Sequence, residues 1–238
     1  ETCPRRFCYK YIFNWEDPPG EAAILGKTVH KAIELVLNDR SFDDAVLTAC
    51  MEEADLAVDR QEVEMLVKRA VSFSRNYYIQ GIEKYFMMEL SKIIIELGKG
   101  ALCHGYIDLL CREEKIPVML DWKTNYIPYN IFATQQMSLY AAAVMEQTGI
   151  EKVEAILVFL RSGYVSRAVI TKDMVKRAKE WAAQAAEEIQ QKLELIKTRD
   201  PLIIFPSRLS VSCGHCPWSY QCLLHDKGRS YQCLTIQR

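Results

Sequence analysis

Asp121-Trp122-Lys123 closes a short apolar segment, Pro117 to Thr124, and its two charged residues are two positions apart. Successive side chains of a strand alternate faces, so Asp121 and Lys123 project together and Trp122 points away. Asp108, in Gly105-Tyr106-Ile107-Asp108, ends the preceding β-rich segment. If those strands are neighbours, two carboxylates and one ammonium meet at one sheet edge. The carboxylates are suitable oxygen ligands for Mg²⁺ or Mn²⁺. Such an ion acidifies a bound water and neutralises charge developing on a phosphate, while the lysine orients the water or stabilises the transition state. Taken alone, the triplet is accounted for more simply by a surface ion pair.

Two further groups bear on that chemistry. His30 follows Gly26-Lys27-Thr28-Val29, and Gln136 and Tyr140 stand four residues apart in the segment after the Asp–Lys strand. That spacing puts Gln136 and Tyr140 on one helical face, placed either to touch a phosphate or base or to serve as ordinary core. A lone helical histidine is by itself most simply a satisfied, partly buried residue.

The nine cysteines are an odd number. The N-terminus has no apolar h-region, so no signal peptide and no disulfide framework are expected, and metal or cluster ligation is the better default. Cys213, Cys216 and Cys222 give C-x2-C-x5-C in a short tail after Pro201 and Pro206. Closely spaced thiolates on irregular backbone suit a tetrahedral metal or an iron–sulfur cluster. A zinc site would take a fourth ligand from His215, His225 or Cys233. Cys8, Cys50, Cys103 and Cys111 have no partner spacing and read as small apolar filler.

These groups must be positioned by a regular framework, and the hydrophobic periodicity supplies one. Helical spacing runs over about 24–37, 43–57 and 60–82. Strands are expected over 85–97 and 101–111 about Gly98-Lys99-Gly100, and over 117–124 with Val118-Met119-Leu120 buried on both faces. A helix over 130–147, strands over 152–161 and 164–171, and a long helix over 172–197 complete an α/β pattern with a mixed sheet. The 238 residues, half of them hydrophobic, exclude a disordered chain. No apolar run reaches the roughly 18 residues of a membrane span. A net charge of −1 excludes a polybasic binder but not an enzyme whose positive charge is local. No Walker-type phosphate loop is present, so helicase or ATPase activity would belong to another chain.

In this order Gly26…His30, Gly105…Asp108, Asp121…Lys123 and Gln136…Tyr140 resemble the RecB-type branch of the PD-(D/E)XK nuclease superfamily, with its G-x-x-x-H, G-x-x-D, D/E-x-K and Q-x-x-x-Y motifs. The resemblance implies a restriction-endonuclease-like core, with a mixed central β-sheet flanked by helices and the metal site at the sheet edge. It implies His30, Asp108, Asp121 and the main-chain carbonyl of Trp122 as metal ligands, Lys123 as catalytic lysine, and Gln136 and Tyr140 as residues that stabilise the site and touch DNA. Glu89 matches no motif and does not belong to the metal set.

Cys3-Pro4-Arg5-Arg6-Phe7 adds a second resemblance, to the AddB nuclease domain and the CRISPR-associated spacer-acquisition nucleases. It implies a [4Fe–4S] cluster on Cys3, Cys213, Cys216 and Cys222, joining the N-terminal segment to the C-terminal tail. Such a link closes a loop of about 210 residues and constrains the unfolded chain by several kcal/mol in the loop-entropy model. The expected organisation is one domain over 1–238: a cluster segment (1–20), a helical layer (21–83), the nuclease core (84–200) and a cluster-binding tail (201–238). Arg5, Arg6 and Lys10, with Tyr9, Tyr11, Arg208, Trp218 and Tyr220, supply cations and rings for a single-strand groove. The function expected is a cytoplasmic metal-dependent deoxyribonuclease, exonucleolytic on single-stranded ends, in recombination, repair, phage DNA metabolism or CRISPR adaptation, with protein partners from such a complex. The alternatives are a non-catalytic iron–sulfur DNA-binding subunit and a zinc-ribbon interaction protein.

Overall fold

The computed structural model describes residues 3–18, 20–52, 58–90, 101–113 and 116–226. The expected turn at Gly98-Lys99-Gly100 and the alternative ligand Cys233 lie outside them. The chain divides into two compact units, Pro19–Ala186 and the pairing of Glu1–Pro18 with Glu187–Arg238.

In the larger unit, helices α2 (Glu21–Leu37), α3 (Phe42–Glu52) and α4 (Arg60–Ser74) precede strands β1 (Tyr78–Glu89), β2 (Leu102–Glu113) and β3 (Ile116–Lys123), α1 being Pro4–Phe7 of the other unit. Then come α5 (Gln136–Thr148), β4 (Lys152–Phe159), β5 (Tyr164–Thr171) and the start of α6 (Lys172–Leu195). The five strands lie side by side in chain order. All neighbours are antiparallel except β3 and β4, whose parallel pairing requires the crossover that α5 supplies.

Alternation on β3 divides the core in two. Val118, Leu120 and Trp122 face the stripe formed by Leu25, Val29, Ala32 and Ile33 of α2, Val46 of α3, and Leu66 and Val67 of α4. Met119 faces the other way, onto Met137, Ala141, Ala142 and Val144 of α5. Val118, Met119 and Leu120 are fully buried, as expected for a strand covered on both faces. Small residues on α5 let the helix lie close to the sheet, and Gly149, at φ 71°, ends it in the left-handed region.

The third helix is shorter than its periodicity predicts. It stops at Ser74, and β1 begins at Tyr78 instead of near Tyr85. Tyr78, Ile79 and Ile82 favour strand, and pairing with Arg112, Cys111 and Leu109 of β2 prevails over local helical spacing.

In the smaller unit, a π-helical turn (Cys8–Ile12) follows α1 and packs with α7 (Pro201–Ile204), and a 3₁₀ turn (Val211–His215) comes later in the chain. Cys8, Ile204 and Phe205 are its buried apolar centre.

Candidate active site

The motif glycines mark close approaches. A Cβ on Gly26 would stand 3.3 Å from Thr124 Oγ1, so its absence lets α2 meet the end of β3. His30, one turn further along α2, then reaches β3, its Nε2 lying 2.9 Å from the Trp122 carbonyl. A Cβ on Gly105 would press on the Phe86 ring at 3.1 and 3.2 Å. Without it, Phe86 lies across β2 and meets Tyr140 edge-on at 5.4 Å.

Strand register assembles the carboxylates. Ile82 pairs with Leu109 and Lys84 with Ile107, which sets Glu83 across from Asp108. On the other side Leu109 pairs with Leu120, so Asp108 is also next in line with Asp121. There the ladder gives way, and the Trp122 N–H donates instead to Asp108 Oδ2 at 2.7 Å. Glu83 has φ 46°, a left-handed conformation uncommon for a non-glycine residue and costing on the order of 1–3 kcal/mol. His30 Nδ1 lies 3.5 Å from Asp108 and 4.0 Å from Glu83. Ligand atoms of His30, Glu83 and Asp108 fall within 4.8 Å of one another, a grouping able to hold a metal ion.

Beside this group runs a polar chain. Lys123 Nζ lies 2.5 Å from Asp121 Oδ2 and donates to Gln136 Oε1 at 3.1 Å. Gln136 Nε2 donates to Asp121 Oδ1 at 3.0 Å and to the Tyr140 hydroxyl at 2.9 Å. Among the described residues Asp121 Oδ2 has no partner besides the lysine.

Electrostatics follow from this crowding. Burial, reinforced by the charge of Asp108, pushes the Glu83 carboxyl up to about 7. Burial and Asp108 likewise raise Asp121 against the pull of Lys123. Burial opposes the charge of His30, but its hydrogen bond with Asp108 and the charges of Asp108 and Asp121 prevail and push it up to about 9. Burial pushes Tyr140 up to about 12, keeping it a hydroxyl. Burial is the largest cause of the rise at Glu83, Asp121 and Tyr140, and the charge of Asp108 adds to each.

The structure thus gathers His30, Asp108, Asp121, Lys123, Gln136 and Tyr140 about the end of β3, with Asp108 midway along β2 and not at its end as expected. The Trp122 carbonyl faces His30. Glu83 was missed by sequence reasoning. No motif spacing marks it, and only the pairing of β1 with β2 brings it in. Glu89 pairs with Leu102, further along the same strands.

The remaining site residues lie in the smaller unit. Cys3, Cys213, Cys216 and Cys222 all line one cavity of about 140 Å³, beside Arg5, Arg6 and Tyr9. Arg5 departs from the expected DNA contact. It is 2% exposed, donating to the Phe205 and Leu202 carbonyls at 2.9 Å each and pairing with Asp226 at 3.3 Å. A buried cation must be paired, and this one is directed at main-chain acceptors inside the protein. Arg6 and Lys10 are more open, both beside Asp17 at 3.1 and 3.4 Å. Tyr9 is buried and stacks on Trp15 at 4.4 Å, while Tyr11 and Tyr220 are exposed. Cys8 and Cys111 are buried, and burial pushes the Cys111 thiol up to about 12, as expected of apolar filler.

A mixed five-stranded sheet flanked by helices, with acids and a lysine gathered around the end of β3, has the architecture of a restriction-endonuclease-like core. Residues 1–223 match the model of the PD-(D/E)XK nuclease superfamily, and the chain belongs to it. Membership implies metal-dependent nuclease activity on nucleic acid. No curated protein matches the chain. Among solved structures, that of SSO0001 is similar at 11% identity, covering 92% of this chain and 93% of that one with a TM-score of 0.40. No helix among the described residues is long and apolar enough to cross a membrane.

Proposed function

We propose that the protein is a metal-dependent deoxyribonuclease that degrades single-stranded DNA from its ends, in the cytoplasm, in recombination, repair, phage DNA metabolism or CRISPR adaptation. The observation that carries this reading is the convergence of Asp121, Lys123, Gln136 and Tyr140, in one hydrogen-bonded chain, with His30, Glu83 and Asp108. Three carboxylates and an imidazole are a donor set that fits Mg²⁺ or Mn²⁺. Among the described residues Asp121 has an oxygen engaged by nothing but the lysine, so the residues present suit such an ion. His30, Asp108 and Asp121 would hold it, with Glu83 as an additional carboxylate. When bound, the ion supplies positive charge to the scissile phosphate and acidifies water.

The protein's own groups do the rest. Lys123, whose charge is secured by Asp121, faces the position where phosphate charge accumulates. Burial makes that ammonium worth more than it would be in water. Gln136 fixes Asp121 and Lys123 at once, and Tyr140 fixes Gln136. His30 and Asp108 lock the end of β3 by grasping the Trp122 carbonyl and N–H.

The smaller unit is read as holding a [4Fe–4S] cluster on Cys3, Cys213, Cys216 and Cys222. A common cavity supports this reading.

The test is digestion of end-labelled linear and circular single-stranded DNA with Mg²⁺ or Mn²⁺, beside Lys123→Ala. Loss of the linear substrate by the wild type alone is expected. Equal inertness of both proteins would transfer the reading to a non-catalytic DNA-binding subunit.

A further inference from the structure

Beyond Glu83 and Asp108, β1 and β2 continue as a two-stranded ribbon in which Tyr85 pairs with Tyr106, Met87 with His104 and Glu89 with Leu102. One face is covered, Phe86, Met88 and Ile107 being buried in the core beneath α5. The other face is open among the described residues. Tyr85 is 48% exposed, Tyr106 54% and Met87 59%, and His104 is exposed as well. The rings of Tyr85 and Tyr106 stand 5.2 Å apart, and those of Tyr85 and His104 6.3 Å. The open face of an antiparallel pair is ordinarily polar, so three adjoining rings and a methionine there call for an occupant. The strip begins two residues from Glu83 and Asp108, about 7 Å along the strands. It therefore adjoins the carboxylate cluster along the strands.

We propose that Tyr85, Tyr106 and His104 form a stacking platform for unpaired bases of the substrate strand next to the scissile phosphate. The proposal rests on the nuclease reading of the same site and names its substrate class. The strip offers phenol rings, an imidazole and a thioether in place of a lysine or arginine, so what it matches on a nucleic acid is the bases and not the phosphates. Stacking on an aromatic ring accepts any base, whereas in a duplex both faces of each base are already covered. The platform therefore selects unpaired strands without selecting sequence.

The experiment measures fluorescence anisotropy of a labelled single-stranded oligonucleotide with EDTA present. It compares the full wild-type chain with the Tyr85→Ala/Tyr106→Ala and Tyr85→Phe/Tyr106→Phe double variants. Stacking of roughly 1–3 kcal/mol per base is on the order of tenfold per ring, so the alanine variant should bind about 100-fold more weakly. The phenylalanine variant should stay within about twofold, and duplex binding should be the same in all three. An abasic strand of equal length should bind the wild type about as weakly as the normal strand binds the alanine variant. Single-strand affinity unchanged in the alanine variant, or an abasic strand bound as tightly as a normal one, overturns the platform. Hydrolysis of bis(p-nitrophenyl) phosphate with Mn²⁺ reports the catalytic centre separately, because that diester carries no base to stack. Its cleavage by wild type and alanine variant alike leaves the nuclease reading standing however the binding falls. Its absence in the wild type defeats that reading while the binding comparison still decides the platform.

Discussion

Replacing Arg5 by methionine removes a guanidinium while keeping an unbranched side chain of similar length in its channel. The Phe205 and Leu202 carbonyls then lose a charged donor held at 2.9 Å. Hydrogen bonds to charged groups contribute about 1.5–3 kcal/mol each. Two of them, less the relief of no longer burying a charge, give a net loss of about 2–4 kcal/mol. The pair with Asp226 adds little, since that carboxylate is 37% exposed and screened by water. For a chain of this size a loss of that order lowers the melting temperature by roughly 4–16 °C. Thermal unfolding followed by tryptophan fluorescence measures it, Trp15 and Trp218 both belonging to the smaller unit. Arg5→Lys should fall between, because one ammonium serves one carbonyl better than two. DNA affinity and its salt dependence, measured well below the transition, should match the wild type. An unchanged melting temperature together with a salt-sensitive loss of DNA binding would refute the buried role and restore Arg5 to the phosphate-contacting set.

Gln136→Leu should cost DNA cleavage one to two orders of magnitude in kcat with little change in KM, because it frees Asp121 and Lys123 from a shared partner; steady-state kinetics on a single-stranded substrate checks this. Protein purified without oxygen should be brown, with broad absorption near 400 nm, and Cys216→Ser should lose that absorption together with thermal stability. A colourless, zinc-loaded protein would instead favour the ribbon reading.

Those parts of the site that depend on local repeat are legible in the order of the residues. Alternation along β3 puts Asp121 and Lys123 on a common side, and their ion pair follows. The four-residue interval aligns Gln136 with Tyr140, and the two are hydrogen-bonded to each other. Both motif glycines are visible as letters, but their reason is not. It lies in Thr124 and Phe86, distant in sequence, whose positions leave little room for a side chain. Glu83 is invisible for the same kind of reason. It enters through strand register and an unusual backbone conformation, neither of which leaves a spacing to read. Arg5 misleads because sequence shows that a residue is basic and not where its charge is directed. Two main-chain carbonyls some two hundred positions away have no signature of their own. The late start expected for β1 shows the matching weakness in secondary structure, where long-range pairing displaces a helical period.

The smaller unit joins segments from opposite ends of the chain, Glu1–Pro18 and Glu187–Arg238. That connectivity sets a schedule for biosynthesis. Ribosomes add roughly 5–20 residues per second, so the first segment waits some 10–45 s for the tail that completes it. Through that interval Arg5 awaits the Leu202 and Phe205 carbonyls, Cys8 awaits Ile204 and Phe205, and Tyr9 awaits Trp218 and His225. The nuclease core, Pro19–Ala186, is by contrast contiguous and available to fold as it emerges. The nascent chain thus passes through a stage in which the catalytic half is formed and the half that gathers the four cysteines is not. Over that window chaperones, oxidants and scavenging metals have access to the thiol of Cys3.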